Sequence, residues 1–145
     1  MVKLVQQYFS ESAKKYPNKI AVNLGDVDFT FSDLDKSSNQ LARALKERNV
    51  KKGDRVCFCL HKSVRSIQTI LGILKADAIY VPLDSKAPRT RLEQVVADAE
   101  PKIVICDSET IQLVDGLGEV FNFNDEVGFI VSQSDSELEY QNNSE

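Results

Sequence analysis

A chain of 145 residues, 42% hydrophobic and 28% charged, has the size and composition of one ordinary globular domain with room for a real core. No apolar run approaches the ~20 residues that cross a bilayer, and the N-terminus MVKLVQQYFSESAKK lacks the apolar centre and cleavage site of a secretory signal. A cytoplasmic protein with no membrane partner is expected. The net charge of −4 is unevenly spread, with 18 basic and 12 acidic residues up to Lys102, then no basic and 10 acidic ones. That split argues against nucleic acid binding through the C-terminal third. The low apolar content of SQSDSELEYQNNSE marks 132–145 as an acidic flexible tail or linker after a domain over 1–131.

In chain order, Val5, Tyr8, Phe9, Ser12 and Tyr16 fall on one stripe of a helix over 4–16, stopped by Pro17, with Lys14 and Lys15 favoured in its last turn. Ile20, Val22 and Leu24, then Val27, Phe29 and Phe31, alternate about Gly25-Asp26 and predict a β-hairpin. Ser32 is the expected N-cap of the next helix, with Asp35 three residues on. That helix would bury Leu34, Ser38, Leu41, Ala42 and Leu45, and Asn49 suits the left-handed position after its end. Residues 55–60 form a near-continuous apolar run, the pattern of a strand covered on both faces of a parallel sheet. Ser63 then caps a helix carrying Val64, Ile67, Ile70, Leu71, Ile73 and Leu74, apolar around most of its circumference and therefore expected to be buried. Gly72 inside it is either tolerated or permits close packing.

Residues 79–81 read as a strand ended by Pro82. Pro88 is expected at the first position of a helix whose Leu92, Val95, Val96 and Ala99 share a stripe, with Pro101 closing it. Residues 102–106 are another buried strand, and 119–123 and 127–131 are weaker strand candidates. A helix and a hairpin followed by α, β, α, β, α, β predict an α/β fold: a mostly parallel sheet with flanking helices.

Chemistry is hard to find. Cys57, Cys59 and Cys106 lie in apolar runs without CxxC spacing, as reduced core thiols do. With His61 the only histidine, a zinc clip at Cys57 and Cys59 lacks further ligands, and a nucleophilic triad is difficult to assemble. His61 does follow a buried strand, where α/β sheets place ligand crevices, although a surface or capping role fits it better. Gly116-Leu117-Gly118 is a lone GxG, better read as a surface turn than as a phosphate cradle. Arg89 and Arg91 beside Pro88 could hold an anion, but an ion pair with Asp84 or Glu93 is the simpler expectation. Lys75 is expected to end its helix with its ammonium in water. No catalytic, cofactor-binding or metal-binding residue emerges.

LKADAIYVPLD (residues 74–84) resembles the second core motif, LKAGxAYVPLD, of adenylation domains, the amino-acid-activating units of nonribosomal peptide synthetases. FTFSDLDKSSNQLARAL (29–45) resembles their first core motif, and KKGDRV (51–56), APRTRL (87–92) and PNKIAV (17–22) match in the same order. Asp77 stands where the family prefers glycine, Ala87 where it has tyrosine, and Phe31 replaces the motif tyrosine. The resemblance covers roughly residues 4–108. It implies part of the large subdomain of the adenylate-forming fold. In whole members ATP and Mg²⁺ convert a carboxylate to an acyl-adenylate, and the acyl group passes to the phosphopantetheine thiol of a carrier protein.

The family's Ser/Thr/Gly-rich phosphate loop, acid pocket and catalytic lysine have no counterpart in these residues. The resemblance therefore implies scaffold without a site, inactive alone, with the rest of the domain as partner and self-association through surfaces that the rest would cover. Two rivals stay open: a stand-alone interaction or regulatory module derived from such a domain, and part of a D-alanine–carrier ligase or acyl-CoA ligase.

Overall fold

The computed structural model describes residues 4–25 and 27–139, with the side chain of Leu24 left aside. Twelve elements follow one another: α1 (Val5–Lys15), β1 (Ile20–Leu24), β2 (Val27–Thr30), α2 (Phe31–Glu47), β3 (Arg55–Phe58), α3 (Val64–Lys75), β4 (Ile79–Pro82), α4 (Arg89–Ala99), β5 (Ile103–Cys106), α5 (Ile111–Val114), β6 (Val120–Asn122) and α6 (Phe123–Val131). β1 and β2 pair antiparallel as the expected hairpin, apart from a parallel sheet ordered β4-β3-β5-β6.

Strand alternation sorts the core into two layers. Val56 and Phe58 of β3 and Ile103 and Ile105 of β5 face α2, α3 and α6. Their neighbours Cys57, Val104 and Cys106 face α4 and α5. Because β4 and β5 flank β3 on opposite sides, right-handed crossovers carry α3 and α4 over opposite faces of the sheet. The continuous apolar run of 55–60 follows from this double coverage.

The two central helices meet closely. A Cβ built on Gly72 would lie 2.7 Å from Leu41 Cδ2 and 3.1 Å from Leu41 Cβ, so the absence of a side chain is what lets α3 approach α2. Asn49 takes the left-handed position beyond α2 (φ 69°), as expected, and Asp77 occupies another (φ 62°), where its carbonyl accepts from Gly53 N at 2.9 Å. The glycine of the family motif therefore corresponds to a turn that does require positive φ.

Several expectations change. On α1 the buried residues are Gln6, Ser10 and Ala13, whereas Val5 and Tyr8 face outward at 69% and 56% exposure. Helical periodicity located a stripe but not the side that packs inward, because polar partners on α2 and α3 decided it. α2 starts two residues early: Thr30 caps it and Asp33, not Asp35, closes the capping box. Pro88 is the N-cap of α4 rather than its first residue. On α3, Val64, Ile67, Ile70 and Leu74 are only half-buried.

Residues 127–131 are not a strand. Asn122 caps α6 through Asn124 N, acidic Asp125 and Glu126 suit its first turn, and Phe123 and Ile130 turn inward at helical spacing. The short α5 carries no periodic signal long enough to predict it. Residues 132–139, placed by the sequence in the acidic tail, lie against α2, with Leu138 only 7% exposed; residues 140–145 fall outside the described residues. No described helix is long and apolar enough to cross a membrane.

Candidate functional site

The ends of β3, β5 and β6 open on a cleft of about 460 Å³ lined by His61, Ser63, Arg65, Asp107, Glu109 and Asn124, among others. The sheet reverses its direction of winding between β3 and β5, so this is where α/β sheets place ligands. The sequence singled out only His61 here; the others are brought in by topology.

Arg65 and Asp107 satisfy each other within the cleft. Asp107 Oδ1 accepts from Glu109 N (3.0 Å) and Thr110 N (3.2 Å) in a turn, and Thr110 Oγ1 donates onward to Cys59 O at 2.6 Å. Arg65 lies 3.6 Å from Asp107 Oδ2, 3.4 Å from Asn124 Oδ1 and 4.9 Å above the Phe123 ring. The start of α3 is capped by its own Ser63 and Ser66 in a reciprocal pair, which engages the amides of those two residues.

His61 has two neighbours that suggest a triad: Ser85 Oγ lies 3.4 Å from Nδ1 and Glu109 Oε2 lies 3.9 Å from Nε2. Both separations exceed hydrogen-bond reach for proton transfer, and His61 and Glu109 are 54% and 75% exposed, where water screens any activation. The trio is a loose surface contact.

The other expected residues lie elsewhere. Arg89 pairs with Glu93 (3.3 Å), as expected, and also donates to the carbonyls of Leu113 (3.1 Å) and Asp115 (2.8 Å), tying α4 to the end of α5. Asp84 instead accepts from Lys86 N in its own loop. Gly116 takes positive φ (84°) in a turn beside Arg89, on the opposite side of the sheet from α3. The three thiols are buried and free. Burial pushes Cys57 up to about 11 and, with Asp107 nearby, Cys106 up to about 12; it raises Cys59 as well. Such thiols are inert.

Lys75 overturns its expectation. Its side chain is fully buried, not snorkelled to water, and its ammonium donates to Asp35 Oδ1 (2.9 Å), Ser38 Oγ (2.7 Å) and Asn39 Oδ1 (2.9 Å), with Asp35 O at 3.2 Å. Phe9 lies over it at 5.6 Å, and Ser10 Oγ donates to Asp35 from α1. Desolvation pulls its pKa down and Asp35 holds it up. The partners Asp35, Ser38 and Asn39 sit at i, i+3 and i+4 of a predicted helix, a polar patch on an otherwise buried face. That was the signal available for a buried cation.

The AMP-binding enzyme family matches residues 9–145. Tyrocidine synthase 1 of Brevibacillus parabrevis is 34% identical over 116 residues, which is 80% of this chain and 11% of that protein. Bacitracin synthase 1 of Bacillus licheniformis is 35% identical over 120 residues, 77% of this chain and 2% of that one. The crystal structure of the nonribosomal peptide synthetase FmoA3 superposes with a TM-score of 0.87 at 25% identity, covering 97% of this chain and 15% of that one. The chain thus spans only a small part of the curated relatives it matches. The chain belongs to the AMP-binding enzyme family, and its relatives are the adenylation domains of nonribosomal peptide synthetases.

Proposed function

We propose that this chain is the scaffold portion of an amino-acid-activating adenylation domain and does not activate an acid by itself. The observation that carries the reading is the strand-end cleft. Its one guanidinium is paired with Asp107, its helix start is self-capped, and Glu109 adds a second carboxylate to the rim. A triphosphate needs converging amides and unpaired cations, and the cleft's one guanidinium is already held by a carboxylate. Among the described residues no three His, Cys, Asp or Glu side chains converge as Mg²⁺ ligands would. The fit to ATP and Mg²⁺ is therefore poor, and no step of the reaction is assigned to these residues.

On this reading the partners are the remainder of the domain and, for the assembled enzyme, a carrier protein whose phosphopantetheine thiol receives the acyl group; the compartment is the cytoplasm. The exposed edge of β4, with Ile79 at 51% and Tyr80 at 42% exposure, is where that remainder or a second copy would pack. Alternation turns the Tyr80 amide outward, and Pro82, next on that side, has none. The edge is thus a poor template for strand addition, and contact there would be made by side chains. ATP–pyrophosphate exchange with a panel of the proteinogenic amino acids tests the proposal. Rates at the no-enzyme blank are expected, and exchange clearly above it with any acid would refute it.

A further inference from the structure

α1 turns a mostly polar face inward. Its buried residues are Gln6, Ser10 and Ala13, and among the described residues it gives none to either core layer. Its inward contacts converge on the end of α3. Gln6 Nε2 donates to Leu74 O (3.0 Å), Ser10 Oγ donates to Asp35 Oδ1 (3.1 Å), and the Phe9 ring lies over the Lys75 ammonium at 5.6 Å and beside Phe31 at 5.5 Å. Lys14 adds an exposed pair with Glu137 at 2.5 Å. The chain just beyond the helix is pinned separately. Pro17 O accepts from Ser32 N (3.0 Å) and Lys19 O from Phe31 N (3.0 Å), which holds the hairpin to the start of α2 independently of α1. Tyr16, between helix and pin, has already left helical geometry (φ −131°, ψ 59°).

We propose that α1 is a lid: it opens as a unit about Tyr16, off a centre that stays folded, and it closes on the Lys75–Asp35 pair. Segments that bury few apolar side chains open below the free energy of global unfolding. Opening here gives up Ala13, part of Phe9 and hydrogen bonds that water replaces. The sheet and the contact between Gly72 and Leu41 keep their own packing. Opening also brings water to an ammonium whose burial is the main force lowering its pKa, so hydration of Lys75 offsets part of the cost. The lid thus decides when the amine of Lys75 meets solvent, and it is independent of the function proposed above.

Acetylation of the full chain by an N-hydroxysuccinimide ester under single-hit conditions, read by peptide mass spectrometry, tests the lid. Labelling of a covered amine follows the population of the open state, so Lys75 should react about a hundredfold more slowly than exposed Lys51. Ser10→Ala and Gln6→Ala each remove a bond that opening breaks, and each should speed Lys75 about five- to tenfold. Val96→Ala, in the core layer on the opposite face of the sheet, weakens the open and closed forms alike. It should speed hydrogen exchange of the β3 and β5 amides about tenfold or more and leave Lys75 labelling within about twofold. Urea below the unfolding transition should likewise accelerate the β3 amides steeply and Lys75 only slightly. Lys75 labelling that follows β3 exchange through Val96→Ala and through urea would mean that the amine is reached by global unfolding. A rate unmoved by both Ser10→Ala and Gln6→Ala would mean that α1 does not cover it. Either result would overturn the proposal.

Discussion

The junction of α2 and α3 and the edge at β4 are built on opposite terms. At the junction Gly72 admits Leu41, and the Lys75 ammonium is enclosed by three side-chain oxygens and an aromatic ring. Nothing there is left for another molecule. At β4, one strand away, Ile79 and Tyr80 stand half in water and Pro82 interrupts the outward row of donors. The difference is one of closure: the centre is closed by its own residues, and the β4 edge leaves Ile79 and Tyr80 exposed.

Breaking the closed centre should produce the largest effect. Lys75→Met leaves Asp35 and Asn39 without their cation and should cost about 3–5 kcal/mol in denaturant unfolding. Asp35→Asn combined with it should recover part of that loss, and the double-mutant cycle measures how much the pair is coupled. A loss within error for Lys75→Met would mean that the polar junction does not hold the centre together.

The buried thiols offer a second test through pH. Their folded pKa values lie above the ordinary 9.0, at about 11 for Cys57 and about 12 for Cys106. The sign follows from linkage. Below pH 9 both folded and unfolded thiols are protonated and the stabilisation is fully present; as pH rises toward 11–12 only the unfolded chain ionises, and stability falls. Each such thiol should contribute up to about 1.4 kcal/mol of loss per pH unit. Cys106→Ala, compared by urea unfolding at pH 8 and pH 10.5, should flatten that alkaline slope, although the variant is itself less stable.

Smaller effects sharpen the comparison. Gly72→Ala sets helix propensity against a clash with Leu41 that includes its Cβ, and a net loss of about 1 kcal/mol is expected by thermal unfolding. Away from the centre, Glu100 ends α4 in the left-handed region (φ 47°) with its side chain exposed, so Glu100→Gly should stabilise by about 0.5–1 kcal/mol. A gain for Gly72→Ala would show that the α2–α3 contact is looser than its geometry states.

The mostly parallel α/β sheet could be anticipated because apolar runs alternate with helical stripes, and 55–60 and 102–106 read as doubly covered strands. The hairpin was legible from Gly25 between two alternating runs. What failed was local ambiguity that distant residues resolve. Val127, Phe129 and Val131 alternate as a strand would, yet Phe123 and Ile130 share a helical face, and their burial against α2 selects the helix. Val5, Tyr8 and Tyr16 form a true stripe that points outward, because Gln6 and Ser10 have hydrogen bonds waiting on Leu74 O and Asp35. Lys75 looked like a helix-end cation because its partners come from a helix 36 to 40 residues earlier. The strand-end cleft was legible only as a place, through His61; that its guanidinium is already paired depends on Arg65 meeting Asp107, which no local pattern announces.

The central claim is that a closed fold centre here carries no nucleotide site of its own. Titration of the full chain with Mg·ATP, followed by ¹H–¹⁵N amide shifts of His61, Arg65, Asp107 and Asn124, tests it most directly. The account predicts no saturable shift at these positions up to millimolar nucleotide. Saturable shifts centred on the cleft would contradict it.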